Sequence, residues 1–190
     1  MATELFLQGE HTMTTTDPTP ATRFPRPTRG PTATPLLAAL LLAAGLYTQG
    51  AQAEPCRAIA SVQQSGVSAN NNAAGGHLNQ HIFGATPPQG SSQATKTLFS
   101  SVEEYKGFWN NYLDPKKYTG NAVNCSGKSA HQKVTVYSVL KKDRIGGFNC
   151  TAADGQGQCT AKTASQYSNV QLDFEVVGGQ WILLTAYPTN

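Results

Sequence analysis

The sequence predicts an α+β domain, because helical periodicity in the middle of the chain is followed by strand alternation towards its end. Residues 101–114 repeat their apolar positions at helical spacing, and three later segments are rich in β-branched and aromatic residues. Helices that come first and strands that come later are typical of this class. We therefore expect N-terminal helices to pack on a C-terminal antiparallel β-sheet.

The predicted helix begins at Ser101 in the segment "SSVEEYKGFWNNYLD". Ser101 and Glu104 have the spacing of a capping box, in which the two side chains satisfy backbone N–H groups of the first turn. The residues that recur at helical spacing are Val102, Tyr105, Trp109 and Tyr112. Because this periodicity explains the aromatic residues, we interpret them as core packing and not as a base-stacking platform.

Three predicted strands follow Asp114-Pro115. They are "KVTVYSVL", "NVQLDFEVV" and "WILLTAYP", and the second alternates with Val170, Leu172, Phe174 and Val176 on one face. We expect Gly146-Gly147 and Gly178-Gly179 to supply turns between the strands. We expect the last segment to be a central or near-central strand.

The first 53 residues have the pattern of a secretory signal. An arginine-containing stretch precedes an apolar run at residues 36–46, and Ala51-Gln52-Ala53 resembles a cleavage site before Glu54. A retained membrane anchor is the alternative, but such an anchor needs about 20 apolar residues. We expect residues 54–190 to form one secreted or periplasmic domain that has no stable membrane association after cleavage.

All four cysteines of the chain lie in residues 54–190. An exported chain with an even cysteine count predicts disulfides, and four cysteines allow three pairings. The favoured pairing joins Cys150 to Cys159 across the turn-forming segment "TAADGQGQ" and leaves Cys56 to Cys125. Zinc binding is the alternative, and the absence of a Cys-x-x-Cys pair in the sequence argues against it.

Charge discriminates little between the possible partners. Residues 54–190 contain eleven basic and eight acidic residues, a net charge of +3. Mild basicity permits a polyanionic partner such as RNA, and it fits ordinary surface lysines equally well.

Two of the four histidines lie four positions apart in the segment "GGHLNQHIFG". We predict a short helix from His77 to Phe83, which would place His77 and His81 on one face. Paired imidazoles suit general acid–base catalysis near neutral pH. A zinc site of the metalloprotease type would need a glutamate where Leu78 stands, and a purely structural role for the histidines is a third interpretation.

The segment "LTAYP" places two hydroxyl groups on one face of the last strand. Strand alternation directs Thr185 and Tyr187 to the same side. A hydroxyl and a phenol side by side can orient a phosphate and a sugar or base. The alternative is a structural role, in which Tyr187 is half-buried and its hydroxyl makes an ordinary hydrogen bond.

These segments together resemble a bacterial toxin domain. "GGHLNQH", then "TLF" before the helix with Glu103-Glu104, and finally "LLTAYP" are similar to the RNase A-like domain at the C-termini of contact-dependent inhibition toxins. The similarity extends over nearly all of residues 75–188. It implies a kidney-shaped, RNase A-like α+β fold and a metal-independent endoribonuclease activity.

The resemblance also implies the site residues. His77 and His81 match the two motif histidines, and Thr185 and Tyr187 match the closing pair. The family has an arginine between the histidine motif and the "TLF" position, where this sequence offers only Lys96 as a cation. A lysine can neutralise a phosphate but lacks the bidentate fork of arginine.

We therefore expect a secreted endoribonuclease that cleaves RNA through the ribose 2′-OH and needs no cofactor. We expect it to act as a monomer, with a cognate immunity protein as a possible partner. The expected catalytic residues are His77, His81, Lys96, Thr185 and Tyr187. The alternative, favoured by the missing arginine, is a catalytically silent secreted binding or inhibitor domain of the same fold.

Overall fold

The computed structural model of the protein describes residues 53–190, which contain four short α-helices and six β-strands. The helices are α1 (Ala60–Ser65), α2 (Ser68–Asn71), α3 (Val102–Leu113) and α4 (Val136–Leu140). The strands are β1 (Thr97–Phe99), β2 (Ser129–Thr135), β3 (Ile145–Ala153), β4 (Cys159–Tyr167), β5 (Asn169–Val177) and β6 (Gln180–Thr189). The predicted α+β class is confirmed.

The strands form two antiparallel sheets and not the single sheet that we expected. One sheet has the order β1-β3-β4 and the other the order β2-β5-β6. In the second sheet, β6 carries one unpaired residue, Leu184, because Asp173 pairs with Thr185 and Phe174 pairs with Leu183. Such a bulge bends its strand and increases the local twist.

The expectation that "WILLTAYP" is a central strand is wrong, because β5 is central and β6 lies at the edge. Side chains of the N-terminal helices bond the outer backbone of β6. Ser61 Oγ donates to Trp181 O at 2.7 Å, and Ser65 Oγ accepts from Leu183 N at 2.8 Å. These bonds satisfy the groups that a further strand would otherwise bond, and Pro188, which lacks an N–H, suits an edge.

The predicted strand "KVTVYSVL" is correct only in its first half. β2 ends at Thr135, and the following residues form α4. The Thr135 side chain caps this helix by accepting a hydrogen bond from Ser138 N, and Lys141 ends it in the left-handed conformation at φ 57°. Local capping therefore outweighs the β propensity of the valines.

The main core forms around α3, and one of the two bonds of its predicted capping box is present at its start. Ser101 Oγ accepts from Glu104 N at 3.1 Å, whereas the Glu104 carboxylate accepts from Ser100 N and not from Ser101 N. The fully or almost fully buried aromatic residues of α3 are Tyr105, Phe108, Trp109 and Tyr112. Burial of a side chain such as Phe108 stabilises the fold by ~1.5–3 kcal/mol relative to its exposure. The predicted role of these aromatics in core packing is confirmed.

Two disulfide bonds stabilise the described region, in the pairing that the sequence favours. Cys56 is bonded to Cys125 and Cys150 is bonded to Cys159. The first bond is flanked by backbone hydrogen bonds from Cys56 N to Val123 O and from Cys125 N to Glu54 O. The second bond joins β3 to β4, whose hairpin projects beyond β1.

The predicted signal peptide and leader, residues 1–53, fall outside the described residues except for Ala53. Within residues 53–190, none of the helices has the length and apolar character that a membrane crossing requires. The two disulfides are compatible with a secreted or periplasmic location.

Candidate active site

The two motif histidines lie in a single 3₁₀ turn, and the predicted helix from His77 to Phe83 is wrong. The turn comprises Leu78–His81, and His77 is its N-cap residue. The buried amide of Asn71 holds this turn, since its Oδ1 accepts from Leu78 N at 2.7 Å and its Nδ2 donates to Leu183 O at 2.7 Å. With about three residues per turn, positions four apart do not share one face.

Gly76 allows the close approach of Asn71 to this turn. A Cβ atom at Gly76 would lie 2.4 Å from Asn71 Oδ1, which is a clash. Gly75 has φ 89°, a conformation that favours glycine. The glycine pair before His77 therefore has a steric role in forming the turn, in addition to its place in the motif.

His81 is the more deeply buried of the two histidines, with 8% of its surface exposed. Its Nδ1 lies 2.9 Å from Thr97 O. A carbonyl oxygen can only accept, so Nδ1 carries the proton and Nε2 of the neutral ring has a free lone pair. Burial lowers the pKa of His81 to about 4, with Lys96 and His77 acting in the same direction and the Thr97 bond and Asp173 opposing them.

His77 is fixed by its backbone and has a partly buried side chain. Its N–H donates to Leu184 O at 2.8 Å, which attaches the turn to the bulge of β6. Burial lowers the pKa of His77 from 6.5, and the charge of Lys96 lowers it further. The carboxylates of Asp173 and Glu175 oppose these effects. The two imidazoles and Lys96 therefore share one electrostatic environment.

Thr185 and Tyr187 extend this site from β6. The Tyr187 ring centroid lies 5.0 Å from that of His81. Thr185 is 3% exposed, and its Oγ1 has no hydrogen-bond partner among residues 53–190. A buried hydroxyl without a partner is rare in a folded protein, so this oxygen lacks the hydrogen bond that such a group normally makes. Burial and the nearby charge of Asp173 raise the pKa of Tyr187.

Lys96 is positioned by an unusual backbone conformation at Thr95. Thr95 has φ 62°, which is a strained conformation for a β-branched residue. This bend allows Thr95 N to donate to Cys150 O at 3.0 Å and Lys96 O to accept from Cys150 N at 2.9 Å. Lys96 is thereby held at the entrance to β1, where its charge affects both histidines.

Sequence reasoning missed the carboxylate of this site, Asp173. Asp173 Oδ1 lies 2.8 Å from His131 Nδ1 and accepts from Gln171 Nε2 at 2.8 Å. His131, Asp173 and Thr185 are successive cross-strand partners in β2, β5 and β6. Alternation of "NVQLDFEVV" indicates that Asp173 faces away from Leu172 and Phe174, but only the strand register places it opposite Thr185.

A second missed residue is Gln93, which is fully buried. Its Nε2 lies within hydrogen-bond distance of three carbonyls of the histidine-bearing segment, those of Asn79 at 2.8 Å, Ile82 at 2.8 Å and Ala85 at 3.1 Å. Its Oε1 accepts from Cys159 N at 3.0 Å. Gln93 therefore joins the histidine turn to the β3–β4 hairpin.

The site brings together two imidazoles with lowered pKa values, one ammonium group and two hydroxyls. In the described part of the chain, no group of three or more His, Cys, Asp or Glu side chains is arranged to hold a metal ion. No family model, curated protein or solved structure matches the chain. The chemistry of the site is therefore inferred from the geometry of these side chains.

Proposed function

We propose that residues 54–190 form a secreted, metal-independent endoribonuclease. The observation that carries this proposal is the state of His81, a neutral imidazole whose Nδ1 is fixed by Thr97 O and whose Nε2 is left as a base. Lys96 and Tyr187 beside it supply a cation and a phenol. A base next to an anion-binding group is what cleavage of RNA through its own 2′-oxygen requires.

In the proposed reaction, His81 Nε2 takes the proton of the ribose 2′-OH, and the 2′-oxygen attacks the adjacent phosphorus. The bond from phosphorus to the 5′-oxygen breaks, and protonated His77 gives its proton to that oxygen. The products end in a 2′,3′-cyclic phosphate and a 5′-hydroxyl. Lys96 and the unpartnered hydroxyl of Thr185 stabilise the charge on the phosphorane, and Tyr187 orients the sugar or base.

The fold supports the same proposal at a coarser level. Two antiparallel sheets with a few short helices are compatible with the RNase A-like fold that the resemblance implies. We include in the proposal a monomeric enzyme and, as a possible partner, an immunity protein that would cover the site in a toxin system.

The chemistry predicts three results on one defined RNA oligonucleotide. Cleavage persists in excess EDTA, because the 2′-oxygen and not a metal-activated water is the nucleophile. A strand with 2′-deoxyribose at the cut site resists cleavage, and mass spectrometry of the first product finds a 2′,3′-cyclic phosphate. A folded domain that loses all activity in EDTA, or that cuts the deoxy strand at a similar rate, would contradict the proposal.

The lowered pKa values of His77 and His81 predict that kcat/KM has an acidic pH optimum. The base must be neutral, so activity rises with pH through the pKa of about 4 for His81. The acid must be protonated, so activity falls as the pH rises through the pKa of His77, which lies below 6.5. We expect kcat/KM to fall at least about tenfold from pH 5.5 to pH 7.5.

The variant Asp173→Asn tests the cause of this profile. The carboxylate raises the pKa of His77, so its removal moves the alkaline limb to lower pH. A pH profile of the wild type that peaks above pH 7, or an alkaline limb that moves upward in the variant, would contradict the assignment of His77 as the acid.

The second candidate function is a catalytically silent binding or inhibitor domain. It is favoured by Lys96, which stands where the resembling family has an arginine. RNA that stays intact with the folded domain from pH 4 to pH 8 would support this candidate against the ribonuclease.

A further inference from the structure

Three side chains outside the proposed catalytic group form an aromatic–cationic cluster. Lys162 Nζ lies 3.3 Å from the ring centroid of Phe83 and 4.6 Å from that of Phe148. The two phenyl rings meet edge to face, with centroids 5.1 Å apart. Lys162 is exposed and both rings are only partly buried. We call these residues the Phe83–Phe148–Lys162 cluster.

The cluster has no part in the main hydrophobic core. Neither phenylalanine belongs to the cluster of buried core residues or to the partly buried residues that pack against it. Phe148 pairs with Leu98, which is fully buried and is also outside that cluster, while part of each phenyl ring stays exposed beside an ammonium group. Aromatic faces and cations are the groups that proteins use to bind single-stranded nucleic acids.

The cluster lies next to the catalytic histidine. Ile82 is extended and bridges to Phe99 in the core, so the next residue, Phe83, points to the opposite side, where its ring contacts Phe148. Leu98 and Phe99 are successive residues of β1, so their side chains point to opposite faces of the sheet. Leu98 pairs with Phe148 in β3, and paired residues share a face, so Phe148 also points away from the face of Phe99. Phe83 and Phe148 therefore share one side of the first sheet, and Phe83 is only two residues from His81.

The backbone segments that carry the cluster are held by hydrogen bonds and a disulfide. Phe83 N donates to Phe99 O at 3.0 Å, and the neighbouring Ile82 O accepts from Gln93. Lys162 is the cross-strand partner of Cys150, whose disulfide to Cys159 closes the hairpin. The two phenyl rings, which contact each other on this backbone, therefore need little ordering when a ligand binds.

We propose that the Phe83–Phe148–Lys162 cluster is a subsite for the nucleotide that flanks the cleaved phosphate of single-stranded RNA. The base stacks on the phenyl rings, and the ammonium of Lys162 leaves the ring of Phe83 to pair with the adjoining backbone phosphate. A paired, stacked base cannot reach the rings, so the subsite selects unpaired RNA. This inference rests on the proposed ribonuclease function.

The test compares Phe148→Ala with the wild type on two substrates, a normal oligonucleotide and the same strand with an abasic nucleotide beside the cut site. We expect Phe148→Ala to lower kcat/KM about tenfold on the normal strand, mainly through KM, because base–aromatic stacking contributes an effect of this size. On the strand whose abasic position removes the stacked base, the variant and the wild type should differ less than about twofold.

Tyr137 and Lys141 provide a matched control. Lys141 Nζ lies 6.0 Å from the ring centroid of Tyr137 on α4, and Tyr137 is 60% exposed. Tyr137→Ala should leave kcat/KM unchanged. Lys162→Ala should lower the slope of log KM against log salt concentration by about the amount that one phosphate contact contributes. If Phe148→Ala does not fold, Phe148→Leu replaces it in the test, because leucine retains apolar volume without an aromatic ring.

The subsite proposal is wrong if Phe148→Ala and Tyr137→Ala change kcat/KM equally. It is also wrong if Phe148→Ala lowers kcat/KM equally on the normal strand and on strands that are abasic on either side of the cut.

A failure of the proposed ribonuclease function can be distinguished from a failure of the subsite. If the wild type cleaves nothing, binding of a fluorescent 2′-deoxy-substituted strand still tests the subsite. Weaker binding by Phe148→Ala and Phe148→Leu than by Tyr137→Ala would then support the subsite, and equal binding would overturn it.

Discussion

Replacement of His81 by asparagine is expected to lower RNA cleavage at least about a hundredfold without unfolding the domain. Asparagine can still donate a hydrogen bond from Nδ2 to Thr97 O, which is the bond that His81 Nδ1 makes at 2.9 Å. It has no equivalent of Nε2, so it cannot take the 2′-OH proton. His77→Ala and His81→Ala should each cause a loss of the same order if both imidazoles transfer protons.

The measurement is the initial rate on a defined oligonucleotide, together with near-UV circular dichroism to show that each variant is folded. Tyr137→Phe, which alters an exposed ring on α4, serves as the control. If either histidine variant is folded and retains near-normal rates, that residue is structural and the two-histidine mechanism is wrong.

Gln93→Leu is expected to lower the free energy of unfolding by about 4 kcal/mol, because it leaves several buried polar groups without partners. The carbonyls of Asn79 and Ala85 lose the Gln93 donor, Ile82 O retains only the bond from Ala85 N, and Cys159 N loses its acceptor. Leucine fills a similar volume, so the effect reports the lost hydrogen bonds more than a cavity. Since these bonds hold the histidine turn, the rate of RNA cleavage should also fall at temperatures where the variant is still folded.

Urea unfolding followed by tryptophan fluorescence measures this change. The matched control is Gln64→Leu, the same substitution at an exposed position of α1, which should change the free energy of unfolding by less than about 0.5 kcal/mol. A loss below about 1 kcal/mol for Gln93→Leu would show that water or a local rearrangement satisfies the released groups.

Local patterns were sufficient to predict much of the fold. The capping box at Ser101 and Glu104 predicted the start of α3, and alternation predicted the buried face of β5. The turn between Cys150 and Cys159 predicted one disulfide, which left Cys56 and Cys125 for the other. In each case the determining interactions lie within a few residues of one another, so the sequence contains them directly.

The errors arose where distant parts of the chain decide the outcome. The outer backbone of β6 is bonded by Ser61 and Ser65, more than one hundred positions away, so nothing in "WILLTAYP" itself marks it as an edge. The histidine segment forms a tight turn because Asn71 bonds both its start and β6.

The candidate site was predictable only in part. The five residues found from the sequence carry the groups that the proposed reaction uses, and of these the structure shows Tyr187 in ring contact with His81. Asp173, which acts on the pKa values of both histidines, could not be assigned because strand register is not visible in an alternating pattern. Gln93 gave no signal, since a buried glutamine resembles a loop glutamine until its partners are known.

Both disulfides bear on when the proposed enzyme would become active. The Cys56–Cys125 bond encloses the segment that carries His77, His81 and Lys96, and the Cys150–Cys159 bond closes the hairpin that Gln93 attaches to the histidine turn. Thiols stay reduced in the cytosol and oxidise after export. A chain still inside the producing cell would therefore lack both cross-links around the proposed catalytic groups. If the chain is exported as its first residues predict, the proposed site would gain both cross-links only after it leaves the compartment that holds the cell's own RNA.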